Sequence, residues 1–405
     1  MTSIADTSLS LYRLLDPEIL SDPYPLYDRL RSTDPVHWDP YLHAWVVTRY
    51  ADVIEVLHRF SAACVASPEQ IAAMGMAELS PIAEVMCRQM LFLDPPAHDR
   101  VRYLAAKGFT PRRVDALRGH IEDITDRLLD SVAGRGSMDL IADFANPLPA
   151  IVSAEMLGVP PADHRQLKAW SEDFGELLGN FQYNADRTWR ALRSLEEMSA
   201  YFGRALRDHV CRNGEGLVDT FSGAHGVEGR LTEEEVVANL ILTMVGGQET
   251  TTNLIGNGVL TLLRHRDQLE RLRLDPTLLR SAIEELLRFE SPSQQTRRMA
   301  VADVELGGKS IRRGQTVITV MGAANRDPER FPDPDVLDIG REDNRHVAFG
   351  WANHFCFGAP LARLEAHIAF GALLSRLPEM TLATDELEWR PNLGLRGLVS
   401  LPVTF

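Results

Sequence analysis

The sequence lacks any apolar run long enough to cross a membrane. Nowhere do about 18 apolar residues follow one another, which is the length that a membrane-spanning helix needs. The first residues, MTSIADTSLSLYRLLDPEIL, have no basic start and no unbroken apolar stretch, so they match neither a signal peptide nor an anchor. We therefore expect no membrane anchor and a cytoplasmic location.

Cysteines are few and far apart. The chain has four, Cys64, Cys87, Cys211 and Cys356, and no two of them form a C-x-x-C pair. This spacing excludes the usual zinc and redox motifs, cysteine-rich iron–sulfur sites and C-x-x-C-H haem attachment. The first three are interpreted as small buried residues, which is the common role of a free cysteine.

Positive charge is also in short supply. Lys and Arg together number 42 against 57 Asp and Glu, which gives a net charge of −15. Such an acidic chain is a poor match to the phosphate backbone, so nucleic acid is not an expected partner. No G-x-G-x-x-G follows a predicted strand, which argues against a flavin or nicotinamide site within the chain.

The patterns that are present indicate a mainly α fold with a minor β-sheet region. Segments such as RVDALRGHIEDITDRLLDSV carry apolar residues three and four apart, as amphipathic helices do. The segment VHWDPYLHAWVVTRY predicts a hairpin, and DVELGGKSIRRGQTVITVM predicts short strands around a Gly-Gly turn. No linker, repeat or low-complexity segment divides residues 1–405, so we expect a single domain.

One predicted helix is much longer than the others. Thr232 and Glu235 form a capping box, and the helix is expected to continue to about His265. Its middle reads VGGQETTTN, although glycine and β-branched threonine both disfavour a helix. Counting from Leu242, helical spacing predicts one shared face; its members are Val245, Gly246, Glu249 and Thr250.

Cys356 differs from the other cysteines because of its surroundings. Gly350 and Gly358 permit unusual backbone angles, and Phe349 can shield a sulfur from water. A helix is expected to begin at Ala359 or Pro360, immediately after the cysteine. The free N–H groups and the dipole of that helix start should favour thiolate over thiol.

The segment FGWANHFCFGAPLAR closely resembles the F-G-x-G-x-H-x-C-x-G haem-ligand signature of the cytochrome P450 family. Of the defined positions from Phe349 to Arg363, one departs, because Ala352 replaces the second glycine. The resemblance covers nearly the whole chain and implies a cytochrome P450-like helical domain with the long helix over the haem. It also implies haem b with the Cys356 thiolate as axial ligand, whose electron push favours O–O cleavage.

The same resemblance implies a set of contacts around the haem. His98 and Arg102, from DPPAHDRVR, would hold one propionate, and His354 and Arg298 would complete the clamp. Arg297 competes with Arg298 for this place, since the two adjoin in the sequence. A planar guanidinium suits a carboxylate because it can donate two parallel hydrogen bonds.

The interruption in the long helix resembles the acid–alcohol pair of the family. Glu249 and Thr250 would deliver protons during O2 activation, and Gly246 would open a groove for dioxygen above the iron. A Thr hydroxyl can also bond a carbonyl one turn back and so loosen the helix locally. Family members that use peroxide directly replace this pair, so its presence indicates O2 and a separate electron donor.

An E-x-x-R motif belongs to the family pattern but occurs three times in the chain. The pairs are Glu270–Arg273, Glu285–Arg288 and Glu342–Arg345. The position of Glu285–Arg288 just before the strands selects it, and Arg341 is the expected third member of a buried structural triad.

Substrate and electron donor are implied less directly. The resemblance predicts substrate contacts at six residues, Leu242, Val245, Gln294, Gln295, Thr296 and Leu395. Residues 72–90, with four methionines, are a candidate lid. Arg100, Arg112, Arg113 and Arg345 are candidates for a basic patch that binds an acidic ferredoxin. The implied reaction is insertion of one oxygen atom from O2 into a small organic molecule. A peroxide-driven oxygenase and a catalytically silent haem-binding protein remain as alternatives.

Overall fold

The computed structural model describes residues 9–180, 184–207, 217–218 and 231–405. The fold is mainly α, as predicted, and Cys211 lies outside the described residues. The helices are α1 (Pro17–Ser21), α2 (Tyr24–Thr33), α3 (Tyr50–Arg59), α4 (Pro68–Ala73), α5 (Ser80–Met86), α6 (Ala97–Ala106), α7 (Pro111–Ala116), α8 (Arg118–Val132), α9 (Pro147–Leu157), α10 (His164–Gly179), α11 (Ala185–Arg207), α12 (Glu233–Arg264), α13 (Arg266–Leu274), α14 (Leu279–Phe289), α15 (Met321–Ala324) and α16 (Ala359–Arg376).

The strands form small sheets beside the helices. They are β1 (Val36–Asp39), β2 (Ala44–Val47), β3 (Ser137–Asp139), β4 (Gln295–Met299), β5 (Val304–Leu306), β6 (Lys309–Ile311), β7 (Thr316–Val320), β8 (Thr381–Leu382) and β9 (Pro402–Thr404). One sheet has the order β1-β2-β7-β4, a second has β3-β9-β8, and β5 pairs with β6. The predicted hairpin and the predicted strands around the Gly-Gly turn are therefore confirmed.

The long helix α12 is the axis of the largest core. It spans 32 residues and begins with the predicted capping box, in which Thr232 Oγ1 accepts from the Glu235 N–H at 3.2 Å. The Glu235 carboxylate in turn accepts from the Thr232 N–H at 2.9 Å. Of its 32 residues, 24 are buried, and most of its apolar side chains belong to the largest core cluster. Among the described residues, no helix is both long enough and apolar enough to span a membrane.

Helix α16, which follows Cys356, packs directly against α12. A β-carbon at Gly258 of α12 would lie 2.5 Å from Cζ of Phe370, so only glycine permits this approach. Because α16 is fixed against α12, the loop before it is held at a defined distance from the middle of the long helix.

The predicted triad links α14 to the irregular segment after the sheet. The Glu285 carboxylate accepts from Arg288 Nη2 at 2.7 Å and from Arg341 Nε at 3.1 Å. Glu285 and Arg288 are both fully buried. By contrast, the Glu270 carboxylate that pairs with Arg273 is 58% exposed. The structure therefore brings together the three residues that the sequence context selected.

Candidate active site

A cavity of about 300 Å³ lies between α12, residues 349–358 and the start of α16. We call it the central cavity, and we call residues 349–358 the cysteine loop. The volume of the central cavity falls in the usual range for small-molecule sites. Helix α6 and the beginning of β4 close its sides. Cys356 therefore faces the same space as the interrupted stretch of the long helix.

One broad face of α12 lines the central cavity. Its members are Leu242, Thr243, Gly246, Gly247, Thr250, Thr251 and Leu254. A β-carbon at Gly246 would meet no atom within 4 Å, so this glycine leaves open space. At Gly247 a β-carbon would lie 2.7 Å from Ser153 Oγ, so this glycine lets α9 approach. The two glycines thus serve different purposes.

Thr250 sits at the centre of this face. Its Oγ1 donates to the carbonyl oxygen of Gly246, one turn back, at 2.8 Å. A hydroxyl bonded in this way competes with the backbone ladder of the helix. Thr250 therefore presents an oxygen to the cavity at the point where the helix has least side-chain bulk.

Glu249 and Val245 point elsewhere, which corrects the single face expected from helical spacing. A β-carbon at Gly175 of α10 would lie 3.3 Å from Glu249 Cγ and 3.8 Å from Val245 Cγ1. The Glu249 carboxylate accepts a hydrogen bond from Arg390 Nη1. Burial raises the pKa of Glu249, and the charge of Arg390 opposes that rise. The acid is thus beside the cavity wall rather than in it.

The cysteine loop is held by its own backbone. The Cys356 N–H donates to the Phe349 carbonyl at 2.8 Å, and Gly350 has φ of +72°. Phe349 lines the cavity beside the sulfur, and the Arg363 guanidinium lies 4.6 Å from the centre of its ring. Ala352, at the position where the family signature has glycine, has φ of +54°. The substitution therefore places a side chain in the left-handed region, which L-residues disfavour.

Burial dominates the electrostatics of the thiol itself. It raises the pKa of Cys356, while the N–H groups of Gly358 and Ala359 and the charge of Arg102 lower it to a smaller extent. The N–H groups at the helix start therefore favour the thiolate, as expected, but burial of the thiol outweighs their effect on its pKa. A metal ion bound to the sulfur would reverse this balance, because a coordinated thiol is deprotonated outright.

Four basic or imidazole side chains gather at one edge of the central cavity. They are His98, Arg102, Arg298 and His354. The rings of His98 and His354 lie 4.4 Å apart. Burial, aided by the charge of Arg298, lowers the pKa of His354 to about 3, so this imidazole is neutral at pH 7. Arg102 Nη2 donates to the Phe355 carbonyl at 2.6 Å.

The register of β4 places the two adjacent arginines on opposite faces of the strand. Thr296 and Arg298 line the cavity, and they lie two residues apart on one face of the strand. Arg297 lies on the other face of the strand and is not among the described residues that line the cavity. Arg298 Nη1 donates to Thr296 Oγ1 at 3.2 Å and to the Arg297 carbonyl at 2.7 Å.

The residues around the cavity fit a haem. Within the described part of the chain, His98 Nε2 and Arg298 Nε are buried without a hydrogen-bond partner, although both residues line the cavity. A carboxylate of a bound group would accept from the Arg298 N–H, and from His98 Nε2 where that nitrogen carries a proton. Nor do the described residues contain a cluster of three or more His, Cys, Asp or Glu that would hold a bare metal ion. A lone cysteine instead suits a metal whose other ligands belong to a macrocycle.

The predicted substrate residues divide into two groups. Leu242 and Thr296 line the central cavity. Among the described residues, four others lie outside its lining: Val245, Gln294, Gln295 and Leu395. The amides of Gln294 and Gln295 donate to the carbonyls of Ser291 and Leu393, at 2.7 and 2.6 Å. These glutamines support the cavity wall from behind.

Several cavity residues were not predicted from the sequence. Thr243, Ser293 and Ser153 add hydroxyl groups to an otherwise apolar wall. Glu365 of α16 also lines the cavity. It lies four residues after Leu361 and three before Ile368, both buried. A charged residue at an apolar helical spacing is a signal that could have identified it.

The last residues of the candidate lid are hydrogen-bonded to the long helix α12. The Met90 N–H donates to Asn239 Oδ1 at 2.8 Å, and Gln89 Nε2 donates to the Ala238 carbonyl at 3.2 Å. Met90 lines the cavity, whereas Met74 is 63% exposed. Of the four methionines, Met90 therefore has the placement expected of an adaptable wall.

Comparison with known proteins agrees with this geometry. The family model "Cytochrome P450" matches residues 215–395. The polyketide biosynthesis cytochrome P450 PksS of Bacillus subtilis (strain 168) is 38% identical over 400 residues, which cover 96% of this chain and 96% of that protein. The cytochrome P450 monooxygenase PikC of Streptomyces venezuelae is 40% identical over 401 residues, covering 96% and 92%.

A solved structure matches over the same extent. The crystal structure of P450BioI in complex with hexadec-9Z-enoic acid ligated acyl carrier protein superposes with a TM-score of 0.90 at 37% identity. The match covers 96% of this chain and 100% of that one. With relatives this similar along nearly its whole length, the chain belongs to the cytochrome P450 family of monooxygenases, whose cofactor is cysteine-ligated haem b.

Proposed function

We propose that Cys356 would bind the haem iron through its sulfur and that the enzyme inserts one oxygen atom from O2 into a small organic substrate. The observation that carries this proposal is the shared cavity, in which Cys356 faces Gly246 and Thr250 of α12. Bound haem supplies the activation of O2, and its thiolate ligand favours O–O cleavage. The protein supplies position, protons and exclusion of water.

The four side chains at the cavity edge orient the cofactor. The buried Arg298 Nε–H can donate to a carboxylate of the cofactor, and Arg102 adds a positive charge. His98 Nε2 can donate as well when its ring carries two protons, since its Nδ1 faces the Asp99 carboxylate. Because His354 is neutral, it donates a hydrogen bond without adding charge. Phe349 covers the sulfur and keeps water from it.

Thr250 and Glu249 are proposed to move protons. The Arg390 side chain is 24% exposed and the Glu249 side chain is 8% exposed, so the pair connects solvent to the buried middle of α12. Glu249 would take a proton on its carboxylate and pass it through water to Thr250 Oγ1, which lies in the cavity. Arg390 holds the carboxylate in place between transfers.

The substrate is proposed to be mainly apolar with some hydrogen-bonding groups. Leucines and methionines form much of the cavity wall, while Thr243, Ser293 and Thr296 supply hydroxyls. The names of relatives point to secondary metabolism, since PksS is assigned to polyketide biosynthesis. Candidate ligands that displace water from the iron should shift the Soret band. Measuring this shift with a panel of polyketide-like lactones and a panel of fatty acids would show which of the two compound classes the enzyme binds.

The electron donor is proposed to be a ferredoxin-type protein that binds near the exposed edge of the cysteine loop. Arg112 and Arg113 on α7 are exposed, as is Arg345. Arg100, also predicted for this patch, forms an ion pair with Glu235 and is a weaker candidate. Reversing the charge with Arg112→Glu should slow reduction by a ferredoxin at low ionic strength and matter less at high salt.

Cysteine ligation has a direct test. The carbon monoxide complex of the reduced protein should show the shifted band of a thiolate-ligated haem, and Cys356→Ser should abolish that band. Cys87→Ser is the matched control, because Cys87 is half-buried and bonds the carbonyl of Ala66 at 3.8 Å instead of facing the cavity. An unchanged spectrum in Cys356→Ser would refute the proposal.

A further inference from the structure

Glu365 is a buried acid that the proposed mechanism does not use. It lies on α16, nine residues after Cys356 in the sequence, and is 1% exposed. Its neighbours on the same helix face, Leu361 and Ala362, line the central cavity together with it. The acid therefore faces the space that the cofactor is proposed to fill.

The Glu365 carboxyl is also unpaired. Among the residues that the structure describes, its Oε2 has no hydrogen-bond partner. An ionised carboxylate without a partner is strongly disfavoured in such a place. Burial accordingly raises the pKa of Glu365 to about 8, so the group is largely neutral at pH 7.

Charged groups on the surrounding elements have partners of their own. The pairs are Glu249 with Arg390, Glu284 with Arg363 and His346, Glu285 with Arg288 and Arg341, Arg102 with the Phe355 carbonyl, and Arg298 with the Arg297 carbonyl. Cys356, His98 and His354 also face the cavity. The pKa of Glu365 is raised by its burial and not by a charge among these groups.

We propose that Glu365 is a proton-binding site of the cofactor cavity, which takes up a proton when the cofactor accepts an electron at a pH where Glu365 is ionised in the oxidised protein. The inference rests on the proposed function, because it requires the cofactor in the central cavity. One electron comes from the ferredoxin-type donor and reduces the iron. One proton comes from solvent and forms an O–H bond at the Glu365 carboxylate, so the added negative charge is balanced.

The physical basis is Coulomb interaction in a medium of low dielectric constant. An added electron lowers the net charge of the cofactor by one, and this makes a nearby carboxylate less stable relative to the neutral acid. Protonation of Glu365 must therefore favour reduction by the same free energy, since the two binding events are linked. Below the pKa of the oxidised form the acid is neutral in both states and the effect vanishes.

The test is the midpoint potential of the holoprotein measured from about pH 6 to about pH 9. In the unchanged enzyme the potential should fall with rising pH in the upper part of this range. The limiting slope is about 59 mV per pH unit for one electron and one proton. Glu365→Gln should lose this slope and stay near the low-pH value, because glutamine resembles the neutral acid. Glu379→Gln, on the exposed end of the segment after α16, is the matched control and should retain the slope.

Two further outcomes are decisive. An equal slope in Glu365→Gln, or a flat profile in the unchanged enzyme, would overturn the inference. If Glu365→Gln does not bind haem, its midpoint potential cannot be measured. The reduced-minus-oxidised infrared difference spectrum of the unchanged protein is then the test. That spectrum must show a carbonyl band of a protonated carboxyl that shifts in Glu365→Asp, and its absence counts against the proposal. If the unchanged protein showed no thiolate-type carbon monoxide spectrum, the proposed function itself would be refuted.

Discussion

At the scale of single residues, Ala352 is the clearest departure from the family signature. The backbone there has φ of +54°, in the region that glycine adopts without strain. An alanine β-carbon in this region costs about 1–2 kcal/mol. The chain keeps the fold of the loop in spite of this cost, because Cys356 and Phe349 are tied together across it.

We therefore expect Ala352→Gly to stabilise the protein. Relief of the backbone strain exceeds the extra entropy that glycine gives to the unfolded chain, so the gain should be about 0.5–1 kcal/mol. Urea unfolding of the holoprotein measures this change. Ala200→Gly is the control, since Ala200 is exposed in the middle of α11 and its replacement should lose about 1 kcal/mol. A loss of stability in Ala352→Gly would contradict the strain argument.

Thr250 and Thr243 allow the proton-relay proposal to be tested with a matched pair. Both line the cavity, and both hydroxyls bond a carbonyl one turn back, at 2.8 and 2.7 Å. Thr250→Val should raise the share of electrons that yield peroxide instead of product, because loss of a positioned proton donor slows proton transfer by about 10²–10⁴-fold. Thr243→Val should leave that share unchanged. Product formed per NAD(P)H consumed is the measurement, and equal effects of the two variants would remove Thr250 from the relay.

Helical spacing predicted only part of the face around Thr250. Successive residues of an α-helix lie about 100° apart, so Glu249 and Thr250 cannot both point at the same spot. The sequence could not show which of the two neighbouring arcs faces the cavity. That choice depends on α10, where Gly175 lets Glu249 and Val245 pack close to its backbone.

At the scale of elements, the E-x-x-R motifs show how context changes the value of one spacing. Glu285 and Arg288 are fully buried, and Arg288 also donates to the carbonyls of Asn325 and Pro334. Removing one member of a buried pair leaves an uncompensated charge, which costs about 3–5 kcal/mol. We expect Glu285→Gln to cause a loss of this size and to reduce haem content.

The chain provides its own control for this prediction. Glu270–Arg273 has the same spacing but an exposed carboxylate, so Glu270→Gln should cost less than about 1 kcal/mol. Urea unfolding and the haem-to-protein absorbance ratio measure both variants. Comparable losses in the two variants would mean that burial does not set the strength of the pair.

Local sequence patterns fixed most elements because the signals are short-range. The capping box at Thr232, the start of α16 at Ala359 and the hairpin around residues 40–43 all depend on neighbouring residues, and all agree with the structure. The position of the buried Gln295 side chain does not follow from its neighbours in the sequence. Gln294 donates to the nearby carbonyl of Ser291, whereas Gln295 donates to the carbonyl of Leu393, which only the folded chain brings near.

At the scale of the whole molecule, the central cavity joins segments that are far apart in the chain. Residues near 90–109, 242–254, 287–298 and 348–365 all contribute to its lining. The resemblance to a family predicted that these segments meet, whereas composition and periodicity did not. Glu365 was missed because it belongs to no family signature, and the one local signal was its place among apolar positions of α16.

The buried Glu365 carboxyl should also affect the global stability of the protein. The pKa of Glu365 is about 8 in the folded protein, against 4.5 for an ordinary glutamate. Between these values the unfolded chain releases the proton while the folded protein retains it, so the unfolded state binds fewer protons. Stability must then fall as pH rises from 4.5 to about 8, and the penalty is absent below 4.5.

Glu365→Gln cannot ionise, so its unfolding free energy relative to the unchanged protein should increase by about 2 kcal/mol from pH 5 to pH 7. Urea titrations across this range, with Glu379→Gln as the exposed control, give the difference curve. A curve that stays level would mean that Glu365 is ionised in the folded enzyme and finds a partner for its charge.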